Sequence, residues 1–264
     1  MLRDSALLAA ARAALATAPA GLLCDVDGTL SPIAPRPELA RVSPGVRRAL
    51  RALHARLAVV AILSGRRPAA ARRLVGVPGL VYVGNHGLEA HVGRRRWTHP
   101  AAAAARRPLA ALLAALAADP PAAAVHVEAK TYSVALHYRG AADPAAARRA
   151  ILAWLAARPA ARALRVVEGR MVVELRPPAE VTKGTAAACL LRRWGLRGAV
   201  FLGDDRTDAD AMRALRAARA RDVHTLNIAV ASSEMPPELL AEADGLVDGV
   251  AAVEALLAAL ATAG

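Results

Sequence analysis

Residues 22–30 read LLCDVDGTL, an apolar run that ends in two aspartates separated by one valine, followed by glycine and threonine. The run predicts a buried strand. If its alternation continues to the tip, Asp25 and Asp27 share a face. Two carboxylates that close repel each other unless a cation or a proton relieves them. The rest of the chain has to supply that relief.

Working outward, apolar strand-like runs alternate with helical patterns, which argues for an α/β protein with a mostly parallel sheet. GLLCDVD is read as the first strand, and SPGVRRALRALHARL as a helix with Ser43 as its cap and Pro44 in its first turn. LAVVAILSG and GLVYVGNHG are read as further strands with the short helix RPAAARRLVG between them. After residue 97 the pattern changes. PAAAAARRPLAALLAALAAD and DPAAARRAILAWLAARP read as helices, each followed by extended segments, VHVEAKTYSVALHYR and LRVVEGRMVVELRP. The last of these is a hairpin with its turn expected near Glu168-Gly169. The α/β pattern resumes with the helix TKGTAAACLLRRWG, the strand GAVFLGDD, the helix DADAMRALRAARARD, the strand LNIAVAS and an alanine-rich final helix. The expected architecture is a Rossmann-like, doubly wound parallel-sheet core, residues 1–97 and 180–264, with an inserted α+β cap domain at 98–179.

Composition bounds the function. The 264 residues can bury a substantial core, 56% of them hydrophobic but only 3% aromatic, so Ala, Val and Leu must fill it. The net charge of +13 raises nucleic acid as a partner. The arginines, however, are spread along presumed helix faces with no interleaved aromatics for base stacking, so no specific nucleic-acid partner is expected. Cys24 and Cys189 show no CxxC spacing and read as small buried hydrophobes in a reducing compartment. No segment reads as a membrane span, the 100–118 stretch included because it carries Arg106 and Arg107. The N-terminal MLRDSALLAAARAALATAP reads as an amphipathic helix, and the expected location is cytoplasmic.

Polar residues cluster at the carboxyl ends of four expected strands: Asp25 and Asp27, Ser64, Asn85 with His86, and Asp204 with Asp205. Open parallel sheets gather their functional groups there. Of 35 basic residues only Lys130 and Lys183 are lysines, which suggests positions that need a compact ammonium.

The order DxDGT, SGR, TKG and GDDRTD resembles the haloacid dehalogenase-like superfamily of phosphohydrolases. GNHGLE at 84–89, EAKTYSVALHYR at 128–139, VVELRP at 172–177 and GDDRTDADA at 203–211 resemble, more narrowly, the trehalose-6-phosphate phosphatases. That resemblance implies hydrolysis of trehalose 6-phosphate through an aspartyl-phosphate. Asp25 would be the nucleophile, Asp27 the acid and base, and Ser64 and Lys183 the phosphoryl-binding groups. It implies Mg²⁺ on Asp25, the main-chain carbonyl of Asp27 and Asp204, with Asp205 or Asp208 acting through water or behind the ligands. Gly28 and Thr29 would turn their N–H groups toward phosphate. Glu128, Lys130 and Glu174 would bind sugar hydroxyls, and Arg139, His137 and Arg176 would assist or order the cap. His86 would be a structural hydrogen-bonding residue. Two positions depart from the family pattern, Ala129 and Ala209, where an acidic residue is common. A mobile cap closing over the sugar is expected from the two-domain pattern, and the resemblance implies a functional link to a trehalose-6-phosphate synthase. Sucrose phosphate or a glycosylglycerate phosphate would need the same core with a different cap. A non-catalytic sugar-phosphate sensor would not need both Asp25 and Asp27.

Overall fold

AGLLC, VVAIL and GAVFLG form strands that are buried at every position in the computed structural model. It describes all residues except 35, 122–124, 170, 233–234 and 263–264. A strand covered by helices on both faces has no solvent side to encode, so it reads as an unbroken apolar run. The chain forms two compact units, Met1–Trp97 with Val181–Gly264, and Thr98–Glu180.

In the first unit the chain runs through α1 (Asp4–Ala16), β1 (Ala20–Cys24), α2 (Pro44–Arg56), β2 (Val59–Leu63), α3 (Pro68–Val75), β3 (Val81–Gly84), β4 (Glu89–Val92) and β5 (Arg95–Thr98). The inserted unit carries α4 (Pro100–Ala118), β6 (His126–Ala129), β7 (Val134–His137), α5 (Pro144–Ala156), α6 (Pro159–Arg162), β8 (Arg165–Gly169) and β9 (Val172–Arg176). The first unit is then completed by α7 (Lys183–Arg193), β10 (Gly198–Gly203), α8 (Arg206–Ala218), β11 (His224–Val230), α9 (Pro237–Glu242), β12 (Gly245–Val247) and α10 (Gly249–Ala261).

The main sheet has the order β12-β11-β10-β1-β2-β3-β4-β5 and is parallel from β12 to β3. Alternation divides each central strand between two cores. Leu22, Cys24, Val60, Ile62, Val200 and Leu202 pack against α1, α2 and α10. Leu23, Ala61, Leu63 and Phe201 pack against α7 and α8. Ser43 caps α2 by accepting from the Val46 N–H at 3.1 Å, with Pro44 next in the chain.

The inserted unit is a four-stranded sheet, order β6-β7-β9-β8, with antiparallel neighbours. One face is apolar: Val134, Leu136, Val173 and Leu175 meet Leu109 and Leu112 of α4 and Ile151 and Trp154 of α5. Polar side chains alternate onto the other face.

Several expectations need correction. Residues 89–98, for which no strand was expected, form two more strands of the main sheet, β4 running antiparallel to β3. They are four residues long and half-buried or exposed, which weakens the apolar signal. β12 and α9 were not anticipated either; each is too short to show a period. Glu168 and Gly169 end β8 rather than turning, and Met171 takes the left-handed conformation with φ 61°. Cys24 is buried but Cys189 is exposed on α7. Helix α4, at 19 residues, is long and apolar enough by length and composition to cross a membrane, contrary to expectation. Its Ala105, Leu109, Leu112 and Leu116 instead line the core of the inserted unit.

Candidate active site

β1 ends at Cys24, and the chain leaves it in a tight turn in which the Val26 carbonyl accepts from the N–H groups of Thr29, Leu30 and Ser31. The turn separates the two aspartates that ideal alternation would place together. Asp25 is buried, its N–H bonded to Leu202 O at 2.9 Å. The Lys183 ammonium, at the first position of α7, lies 2.7 Å from Asp25 Oδ1 and 2.8 Å from Asp208 Oδ1. Asp27 is about one-third exposed, and the Arg66 guanidinium grips it with two hydrogen bonds of 2.7 Å, Nε to Oδ2 and Nη2 to Oδ1. Each carboxylate of the opening motif therefore has its own cation.

Asp25, Asp204 and Asp208 each offer an oxygen within 4.8 Å of the others, and all three are buried. Asp204 follows β10 and accepts from Thr29 Oγ1 at 2.9 Å. Asp208 sits in the first turn of α8. Its Oδ2 reaches back to the N–H groups of Asp204 (3.2 Å) and Asp205 (3.0 Å), while Asp205 caps the helix. This reciprocal cap turns Asp208 inward and leaves Asp205 at the surface. Of the two aspartates expected behind the ligands, only Asp208 joins the cluster.

One ammonium cannot balance three buried carboxylates. Burial pushes Asp25 well above the ordinary range; Lys183 pulls it back, and Asp208 and Asp204 push it up again. Burial and then the charge of Asp208 raise Asp204 to about 6. Burial raises Asp208 as well, against the pull of Lys183. Burial would also lower Lys183, but Asp208 and Asp25 outweigh it and hold the ammonium protonated. A hard divalent cation suits this donor set, because its ligands are all oxygens and their charge is under-compensated.

Gly28 shows why the motif needs glycine. Its φ is +84°, and a Cβ there would lie 1.9 Å from Asp204 Oδ2. Gly28→Ala is expected to cost ~1–3 kcal/mol, read as a lower urea midpoint with an unchanged slope. A midpoint equal to wild type would show that the turn relaxes freely. The Gly28 N–H bonds Ser31 O at 2.7 Å and the Thr29 N–H bonds Val26 O at 3.3 Å. Both donors are thus engaged within the turn rather than turned outward to an anion. Ser64, buried after β2, accepts from the Arg66 N–H at 3.1 Å, and its carbonyl accepts from His86 N–H at 3.1 Å. Asn85 donates to Glu89 Oε2 at 2.6 Å. The His86 ring lies against Gly65, close enough that a Cβ there would meet it at 2.9 Å.

On the polar face of the inserted sheet, Glu128, Ala135 and Glu174 stand in one cross-strand row. Lys130 Nζ lies 3.7 Å from Glu128 Oε2 and 3.5 Å from Glu174 Oε1. Ser133 donates to Glu174 at 2.7 Å, Arg176 forks onto the same carboxylate, and His137 Nε2 meets Glu128 Oε2 at 3.0 Å. Burial would raise the Glu174 carboxyl, but bonds from Arg176 and Ser133 and the charges of Arg176 and Lys130 outweigh it and hold it below its usual range. Arg139 lies beyond β7 in an exposed turn.

Sequence reasoning missed Arg66 and Ser133. Arg66 directly follows the strand-end Ser-Gly and was the available signal; Ser133 sits among alternating cap-strand residues, and only the fold brings it to Glu174.

The trehalose-phosphatase family profile matches residues 23–240. The chain belongs to that family. It is 41% identical over 212 residues to a trehalose-phosphate phosphatase of Mycobacterium avium, covering 76% of this chain and 53% of that protein. A trehalose-phosphate phosphatase of Mycobacterium bovis is 38% identical over 194 residues, covering 71% and 49%. The chain thus spans about half the length of these relatives. The crystal structure of Aspergillus fumigatus trehalose-6-phosphate phosphatase superposes with a TM-score of 0.72 at 26% identity, covering 97% of this chain and 98% of that one. This chain therefore shares its α/β architecture with that structure.

Proposed function

We propose that this chain hydrolyses trehalose 6-phosphate to trehalose and inorganic phosphate. The observation that carries the reading is a buried Asp25 paired with Lys183 inside an acidic cluster, in a chain of this family. Lys183 occupies Oδ1 of Asp25, which leaves Oδ2 to attack phosphorus. As the new P–O bond forms, the bond from phosphorus to the sugar oxygen breaks, and that oxygen takes a proton from Asp27. Asp27 then takes a proton from water; the water oxygen attacks phosphorus, and the bond to Asp25 breaks. Arg66, which grips both oxygens of Asp27 in the structure, would release one of them to carry the proton while the other keeps the side chain oriented. Lys183 and Ser64 would stabilise charge on the phosphoryl oxygens. Mg²⁺, held by Asp25, Asp204 and the main-chain carbonyl of Asp27, would add positive charge against those oxygens. Asp208 would support Lys183 and Asp204 from behind, and Asp205 would act only through water. Glu128, Lys130 and Glu174 would take the sugar hydroxyls as acceptors and donor, with Arg139 at their edge. The free cysteines fit a reducing compartment, so the reading places the enzyme in the cytoplasm, consuming the product of a trehalose-6-phosphate synthase.

Phosphate release should be measured from trehalose 6-phosphate, glucose 6-phosphate and sucrose 6-phosphate, with Mg²⁺ and with EDTA. Release from the trehalose ester alone, lost in EDTA and restored by Mg²⁺, is the expected result. Preference for another ester would keep the core chemistry and overturn the sugar assignment. Release from none would leave the acidic cluster a binding site.

A further inference from the structure

The two glutamates of the inserted sheet are held unequally. Glu174 is largely buried, with Ser133 and Arg176 bonded to its oxygens. Glu128 is half exposed, and among the described residues its one hydrogen bond comes from His137 Nε2, at 3.0 Å. Lys130 stands between the glutamates at 3.5 and 3.7 Å, ion-pair distances that leave its N–H groups free to turn. His137 itself is anchored by its place in β7, between His126 on β6 and Val172 on β9. Its ring lies 6.0 Å from the His126 ring.

We propose that His137 is a positioning residue for sugar recognition: it holds the Glu128 carboxylate apart from Lys130, so that the two remain a separate acceptor and donor. The inference rests on the reading of this face as the sugar site. With the imidazole removed, the half-exposed Glu128 carboxylate loses the bond that holds it back and swings onto Lys130, which Glu174 keeps in place at 3.5 Å. The collapsed pair then satisfies itself and offers less to a hydroxyl. Glutamine at 137 restores an N–H donor on a side chain of similar reach, whereas alanine restores nothing.

The test compares wild type, His137→Ala and His137→Gln on trehalose 6-phosphate and on p-nitrophenyl phosphate, which has no sugar. For His137→Ala, KM for the sugar ester should rise roughly tenfold, the size of a lost charge-assisted hydrogen bond. Its kcat should hold, and p-nitrophenyl phosphate kinetics should not change. His137→Gln should recover most of the loss. An unchanged KM, an equal loss on both esters, or a glutamine variant as impaired as alanine would each overturn the proposal. Wild type that cleaves p-nitrophenyl phosphate but not trehalose 6-phosphate overturns the substrate reading instead. The alanine-to-glutamine comparison is then made on the sugar phosphate that wild type cleaves best.

Discussion

Asp25→Asn should release phosphate more slowly than wild type by on the order of 10³–10⁵-fold, the scale on which removal of a covalent nucleophile acts. Its folded state should suffer little. Asparagine keeps an oxygen to accept from Lys183, and the change removes one of three carboxylates that burial and mutual repulsion already disfavour. Metal-free Asp25→Asn is therefore expected to melt no lower than metal-free wild type. Steady-state phosphate release and a thermal melt in EDTA, on the same preparation, check both halves. Release within a few-fold of wild type would assign the nucleophile elsewhere. Lost activity together with a lower melting temperature would make Asp25 a structural residue.

Lys183→Ala should damage both fold and activity. The ammonium is 3% exposed and is the cation bonded to two buried carboxylates. Removing one partner of a buried ion pair costs about 3–5 kcal/mol, because the charges left behind are uncompensated. The sign of the pH dependence follows from the direction of the shifts. Asp25 and Asp208 are already raised, and without Lys183 they are raised further. The folded state then keeps protons that the unfolded chain has released above about pH 4. Lowering the pH therefore favours the folded variant. Urea unfolding in EDTA should show a large deficit against wild type at pH 8 and a smaller one at pH 5. A deficit that stays constant across that range would assign the loss to packing rather than charge. Phosphate release should be lost at either pH.

The central strands were legible because a strand buried on both faces is written as an apolar run, and their polar ends then stand out by contrast. LLCDVD, AVVAILS and AVFLGDD all have that form. The edge strands were not legible for the converse reason: Arg95–Thr98 is largely exposed, so nothing in its composition sets it apart from a loop. At the site, the identity of the charged residues could be read but their pairing could not. Asp25 and Asp27 look equivalent in sequence, yet the turn at Val26 gives one to Lys183 and the other to Arg66. Asp205 and Asp208 differ in burial because of a helix cap whose spacing, Asp-x-x-Asp, was visible. Cys189 faces outward because only some positions of a surface helix can meet the core.

The strand order also governs how the protein is made. β1 lies between β2, which follows it closely, and β10, which the ribosome delivers only after the whole insertion has emerged. Asp25 leaves the exit tunnel 158 residues before the lysine that neutralises it. Until then β1 presents an unpaired, wholly apolar edge, the kind of surface that chaperones cover and that associates wrongly when crowded. Chain growth that pauses after residue 180 would prolong that exposure, whereas swift completion of β10 would end it.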